Sequence, residues 1–190
     1  MNLKNTPEHW GSISKILHWL IAGLILLLGV VGLVMGELPK TPKYFWVFTA
    51  HKSLGISVLA LVLLRLLWRL YGGTPRAIAG TPGWQARLAA ATHALLYVLM
   101  FAIPLAGWLY DSASGLRPFR LFGQLPMPKL VAPDERTAAL SHALHEWGFW
   151  LLILAVLVHA AAALYHHLHL EDATLARMLP KGWLDTPPKD

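Results

Sequence analysis

The chain contains no cysteine. Disulfides, thiolate-held iron–sulfur clusters and the covalent C-x-x-C-H attachment of c-type haem are excluded, because each needs a thiol. Charge is also scarce. Only 14% of the 190 residues are Asp, Glu, Lys or Arg, against roughly a quarter in a soluble domain. Acids are fewer than bases, 10 against 16. Inside the long apolar stretches the only acid is Glu146, which argues against a cation or metal carrier, since such proteins usually keep acids within their spans. There is no low-complexity tract and no repeat of solenoid length. The first apolar run is too long for the core of a cleaved signal and lacks an A-x-A site, so it reads as a retained helix.

What the chain has instead is apolar length. Hydrophobic residues make up 56% of it, gathered into four segments at about 13–35, 46–70, 88–110 and 143–168. Each can cross a hydrocarbon core of about 30 Å with some tilt. The intervening stretches 36–43, 71–87 and 111–137 are polar and rich in turn residues. Pro104 falls inside the third segment, where a kink is tolerable within a bundle. Trp10, Trp19, Trp46, Trp68, Trp84 and Trp108 lie near segment ends, as an interfacial belt requires. The expected architecture is all-α, a four-transmembrane-helix bundle forming a single integral membrane domain over 1–190. Lys4, Lys15, Arg65, Arg69, Arg76, Arg87, Arg177, Lys181 and Lys189 fall on the side of the termini. Lys40, Lys43, Lys52, Arg117, Arg120, Lys129 and Arg136 fall on the other. The positive-inside rule leans toward cytoplasmic termini.

Ten histidines punctuate this apolar chain. His145 and His159 are fourteen residues apart in the fourth segment. At about 100° per residue they drift only about 40° from eclipse, and they are roughly 21 Å apart along the axis. One helix thus offers an imidazole near each side of the membrane. With the termini inside, His51 on the second segment shares the outer depth with His145, and His18 on the first shares the inner depth with His159. An unpaired imidazole in the bilayer core is costly. Each pair could instead grip an iron between two helices, giving a bis-imidazole b-type haem. His93 is a rival at the inner depth and could replace His18 or His159. His142 lies at the outer interface. His166, seven residues past His159, keeps that face and could touch a ligand beside the inner haem, whereas His167 and His169 read as a solvated helix end. Haem needs room between helices. Gly23, Gly29, Gly32 and Gly36 thin the first helix, Gly55 the second, and Gly148 with 160–163 the fourth, although small residues also serve plain helix packing. Arg65, fourteen residues after His51, could reach a propionate or snorkel to the interface.

The run "LHEWGFWLLILAVLVHAAAALYHHLHLEDATLARMLP" (144–180) resembles the last helix and tail of the bacterial cytochrome b561 family. "SISKILHWL" (12–20), "HKSLGISVLALVLLRLLWRL" (51–70) and "HALLYVLMFAIPLAGW" (93–108) are similar to its other three helices, in order. The resemblance implies a di-haem inner-membrane protein exchanging electrons with quinone, with haem ligands at His18, His51, His145 and His159. It places the helix-3 histidine at His93 and the histidine pair of the tail at His166 and His167. The relatives it suggests oxidise superoxide at the outer face and reduce ubiquinone.

The expected function is di-haem b electron transfer, with two haems stacked across the membrane, from superoxide or another outer-face donor to ubiquinone. The chemistry itself belongs to the cofactors. A small anionic donor would be drawn by Lys40, Lys43, Lys52, Arg117, Arg120 and Lys129, charges that could equally anchor lipid headgroups. Quinone is expected near His166 and His93. The alternative is a cytochrome b anchor subunit passing electrons from a dehydrogenase or hydrogenase partner. A homo-oligomer or a redox partner protein is compatible with the sequence, and no nucleic-acid partner is expected.

Overall fold

The computed structural model describes residues 2–116, 118–180 and 183–184. Arg117, Lys181 and Lys189 therefore lie outside the described residues. Four long helices carry the chain: α1 (Ser12–Glu37), α2 (Phe45–Gly72), α3 (Gly83–Ala113) and α4 (Glu135–Leu168). A two-stranded antiparallel hairpin, β1 (Arg120–Leu121) with β2 (Leu125–Pro126), lies between α3 and α4. Two 3-10 turns, Pro42–Tyr44 and Ala176–Met178, precede α2 and follow α4.

Four helical stretches are long and apolar enough to cross a membrane. Their outward residues fit that solvent: Leu26, Val30, Leu33, Leu154 and Leu157 are each more than half exposed. So many exposed aliphatic side chains would be unfavourable in water, at about 25 cal/mol per Å², but not against lipid. With the family relationship given below, this makes the chain a multi-pass membrane protein.

All four helices pass the apolar limits read from hydropathy, two of them by several residues at the start. α3 begins at Gly83 rather than 88, and α4 at Glu135 rather than 143. The α4 start is set by Asp134, whose Oδ1 accepts the Thr137 N–H at 2.7 Å, a standard N-cap. Hydrogen bonds from Thr137 hold the Asp134 carboxyl below the usual carboxylate range. The first turns of α4 are polar, so a hydropathy window misses them. The loop of about 27 residues expected before α4 shortens accordingly.

Contacts divide the chain into two compact units, and each long helix contributes one stretch to each. The first unit comprises the chain up to Trp19, Leu64–Leu96, and the chain from Ile153 onward. The ends of this unit are sewn together by polar side chains. Arg177 donates to the carbonyls of Glu8, Arg76 and Pro7. Lys15 donates to the Leu179 carbonyl and Trp19 to that of Met178. Asn5 accepts from Gly11 and Ser14 and donates to the Gly73 carbonyl.

The second unit comprises Leu20–Leu63 and Tyr97–Leu152. Ile21, Val58, Val62, Leu99 and Leu152 form its interior. Its long loop is pinned to the helices at three points. Ser53, fully buried, accepts the Phe122 N–H at 2.8 Å. Ser112 accepts the Leu130 N–H, and Trp108 donates to the Pro128 carbonyl. Phe122 itself has φ of 50°, a left-handed conformation that a bulky residue adopts only under constraint, and its N–H is the one Ser53 holds.

Candidate haem-binding sites

Each unit brings expected histidines from different helices together, their rings edge-on. In the second unit, His51 on α2 and His145 on α4 have ring centres 6.0 Å apart. In the first, His18 on α1 and His159 on α4 are 6.2 Å apart. A first-row metal sits about 2.0–2.1 Å from an imidazole nitrogen. Adding roughly 1 Å from nitrogen to ring centre on each side puts two opposed rings about 6 Å apart, as both pairs are. His93 also lies near His159, with ring centres 5.3 Å apart. His18 and His93 thus both lie near His159. Among the described residues, no group of three or more His, Asp or Glu side chains is gathered to hold a bare metal ion. Two imidazoles from different helices could hold a haem iron, which would supply one-electron chemistry.

The His51/His145 pair is seated by backbone and glycine. His145 Nδ1 lies 2.8 Å from the Ile103 carbonyl on α3. A carbonyl only accepts, so Nδ1 carries the proton and Nε2 is left as the donor atom for a metal, the usual orienting contact of a histidine ligand. One turn on from Ile103, Gly107 makes the approach possible: a Cβ there would come within 2.9 Å of His145 Nδ1. On α1, Gly32 gives way to His51, whose Cε1 would lie 3.3 Å from an added Cβ. His51 Nδ1 is buried and has no hydrogen-bond partner among the described residues, an orphaned polar atom in a site otherwise built to orient imidazoles. Gly29 and Gly148 make room for Phe149 and Ile103 side chains, whereas Gly23, Gly36 and Gly55 have open space beside them. Sequence singled out Gly32 but missed Gly107, which looks like any other small residue until His145 is set against it.

The His18/His159 pair is differently dressed. Arg65 was expected to pair with a propionate or snorkel. Its Nη1 lies 3.0 Å from His18 Nδ1, and because guanidinium has no acceptor, the arginine donates; iron ligation through His18 Nε2 would need that nitrogen unprotonated, so Arg65 would then have to release Nδ1 for another acceptor such as a propionate. His166 is seated apart from the pair: its Nδ1 bonds Asp172 Oδ2 at 2.6 Å. Burial opposes ionisation of Asp172, but hydrogen bonds from His166 and Thr174 outweigh it and hold the carboxyl below the usual carboxylate range. Asp172 had not been singled out. The exposed His169 stacks on Tyr165.

The six expected steering cations are not alike. Lys40, Arg120 and Lys129 are exposed. Lys43 is exposed too and lies over the Tyr44 ring. Lys52, by contrast, forms an ion pair with Asp111 at 2.5 Å, with side chains 31% and 10% exposed, so its charge is largely matched. Arg117 lies outside the described residues. A cleft of about 520 Å³ in the second unit is lined by Tyr110, Ala113, Ser114, Pro133, Asp134, Glu135 and Ala138. Its two acids make it a poor approach for an anion. His142 stands beside this region, exposed and edge-on to Tyr110.

The chain is similar to known proteins along nearly its whole length. A family model of prokaryotic cytochrome b561 matches residues 9–181. The chain is 35% identical to cytochrome b561 homolog 2 of Escherichia coli K12 over 190 aligned positions, covering 97% of this chain and 98% of that protein. It is 30% identical to cytochrome b561 homolog 1 of the same organism, covering 87% and 93%. It is also 30% identical to a protein of Yersinia pestis named probable superoxide oxidase CybB, covering 87% and 92%. A helical bundle, membrane-length helices and histidines arranged for haem b thus coincide with similarity along nearly the whole chain, and the protein belongs to the prokaryotic cytochrome b561 family.

Proposed function

We propose that this protein is a di-haem b transmembrane electron carrier, one integral membrane domain that takes electrons from superoxide at the outer face and delivers them to ubiquinone. The observation that carries the reading is the two imidazole couples, each from two helices, with ring centres 6.0 and 6.2 Å apart. When bound, haem b supplies a one-electron iron centre between each couple. His51 and His145 are the ligands of the outer site, His18 and His159 those of the inner one. Ile103 fixes the His145 tautomer, and Gly107 and Gly32 set how near the rings come to α3 and α1. Arg65 contributes a permanent positive charge beside His18, suited to favour the reduced state or to meet a propionate.

Superoxide as donor is supported by the similarity to a probable superoxide oxidase and by the exposed Lys40, Lys43, Arg120 and Lys129. Lys52 is left out of the steering set, because Asp111 already holds it. The imbalance of Lys and Arg supports cytoplasmic termini in a bacterial inner membrane. Haem quantification with stopped-flow spectroscopy tests the whole reading. Two b haems per chain, reduced by superoxide and reoxidised by a ubiquinone analogue, are expected. The reduction rate should fall as salt rises, since exposed charges are screened within about 10 Å at 0.1 M. One haem or none overturns the site assignment, and a salt-independent rate overturns steering. Isolation in a stable complex with an iron–sulfur partner, without superoxide turnover, would assign the anchor role instead.

A further inference from the structure

On α2, Lys52 is followed by Ser53; on α3, Asp111 is followed by Ser112. The first residue of each pair joins the helices, and the second holds the loop across that junction. Lys52 Nζ donates to Asp111 Oδ1. Ser53 accepts the Phe122 N–H and Ser112 the Leu130 N–H, and both serines are buried. The same loop brings in Phe119, itself buried, with its ring centre 5.5 Å from Lys52 Nζ, within the range of a cation–π contact. The couple is thereby kept mostly from water, the Asp111 side chain more fully than that of Lys52. Lys52 directly follows His51, and its charge acts on that ring. Taking two charges out of water is costly, and apolar side chains can often make such a helix contact without loss of stability. What a charge couple adds here is an electric field beside a histidine expected to hold iron. Exposed charges are screened by salt within about 10 Å at 0.1 M, enclosed ones much less. Lys40, Lys43, Arg120 and Lys129 are of the first kind, Lys52 and Asp111 of the second.

We propose that Lys52 and Asp111 set the reduction potential of the His51/His145 haem, Asp111 acting through Lys52 by cancelling its charge. The proposal rests on the di-haem reading above. The step concerned moves one electron: superoxide loses it and leaves as dioxygen, ferric iron gains it and becomes ferrous, and no proton is transferred. A lone ammonium beside His51 favours the ferrous state, because it opposes the extra positive charge of the ferric one. The electron would then enter the outer site readily and leave it slowly. A lone carboxylate in the same place does the reverse, and entry suffers. Together the two charges cancel, which leaves the outer site able both to accept an electron and to pass it on. The exposed cations then govern how often an anion arrives, and the enclosed couple governs how firmly its electron is held.

The test measures the midpoint potentials of purified haem-loaded protein from the b-haem α band. The component lost in His51→Ala identifies the outer site. Asp111→Asn, close in shape, should raise the reduced-to-oxidised ratio of that component about tenfold at a fixed potential, the effect of one unit charge over roughly 10 Å at an effective dielectric of about 20. That is a rise of about 59 mV for one electron. Lys52→Gln should lower the midpoint by a similar amount. The double variant, again neutral at this place, should return close to wild type. Lys52→Arg, which keeps the charge, should hold the wild-type midpoint. The shifts should persist between about 0.1 M and about 1 M salt, because the couple is enclosed. A merely structural role predicts shifts of one sign in both single variants, since each breaks the same bond. Same-sign shifts, unmoved midpoints, shifts abolished by salt, or a double variant that keeps a single variant's shift overturns the proposal and leaves the di-haem reading intact. If Asp111→Asn does not retain the haem, Lys52→Gln alone decides: a fall supports the proposal, and a rise or no change overturns it. Wild type with no component that disappears in His51→Ala overturns the proposal and the parent reading together.

Discussion

Replacing Gly107 by alanine adds one methyl group to α3 and tests whether the His145 seat is what organises the proposed His51/His145 haem site. The new Cβ would lie 2.9 Å from Nδ1 and 3.0 Å from Cε1 of His145, inside normal contact distance. The ring cannot swing freely, because Nδ1 is held on Ile103 at 2.8 Å. Three effects compete. Alanine improves helix propensity by about 1 kcal/mol over glycine. Crowding a packed site costs about 1–3 kcal/mol, and losing the Ile103 bond costs about 0.5–1.5 kcal/mol. The penalties exceed the gain by roughly 1–3 kcal/mol, which at about 1.4 kcal/mol per tenfold is a 10–100-fold loss of outer-site affinity. That matches the usual effect of disturbing a ligand's orienting contact. Haem-to-protein ratio during dialysis against a haem scavenger, together with the low-spin ferric EPR signals, reads the outcome. Gly32→Ala should do less, because the His51 Cε1 contact would be 3.3 Å and a few tenths of an ångström relieve it. Gly23→Ala has nothing within 4 Å of its new methyl and serves as the control. Full outer-site occupancy with unchanged EPR in Gly107→Ala, or equal loss in Gly23→Ala, refutes the reasoning.

Other perturbations check neighbouring parts of the account. His51→Ala or His145→Ala should drop haem content to one per chain while retaining the other spectrum, His159→Ala should leave the complementary one, and two haems in any of these variants would disprove its ligand assignment. Asp111→Ala strands the half-buried Lys52 ammonium, and a loss of about 1.5–3 kcal/mol is expected from a hydrogen bond to a charged group. Melting of Lys52→Met, Asp111→Ala and the double variant in detergent should be clearly non-additive. The Asp172 carboxyl is depressed in the folded protein, so its stabilisation is fully present above the unfolded value of about 3.9 and is lost as pH falls through the lower folded value. Asp172→Asn should therefore flatten the decline of Tm below about pH 4, and an unchanged acid limb would count against that linkage.

The sequence by itself determined the solvent and the levels. Four apolar stretches with almost no internal charge leave no fold but membrane-length helices, because each helix satisfies its own backbone hydrogen bonds and needs no partner to do so. The fourteen-residue spacing of His145 and His159 fixes a common face of one helix, a local property of 3.6-residue periodicity. Even the early start of α4 was written in Asp134, although hydropathy hides a polar first turn. What the tertiary structure alone decided is which side chains from different helices approach one another. His18 and His93 are equivalent candidates along the chain, and the fold sets both rings near His159, at 6.2 and 5.3 Å. Gly107, Ile103 and the Asp172 return carry no mark in sequence. Their roles depend on helix rotation and crossing, which a one-dimensional pattern of apolar residues facing lipid does not specify. Lys52 shows the converse: among the basic residues of that face it is matched because α2 and α3 set Asp111 beside it, a pairing between residues fifty-nine positions apart.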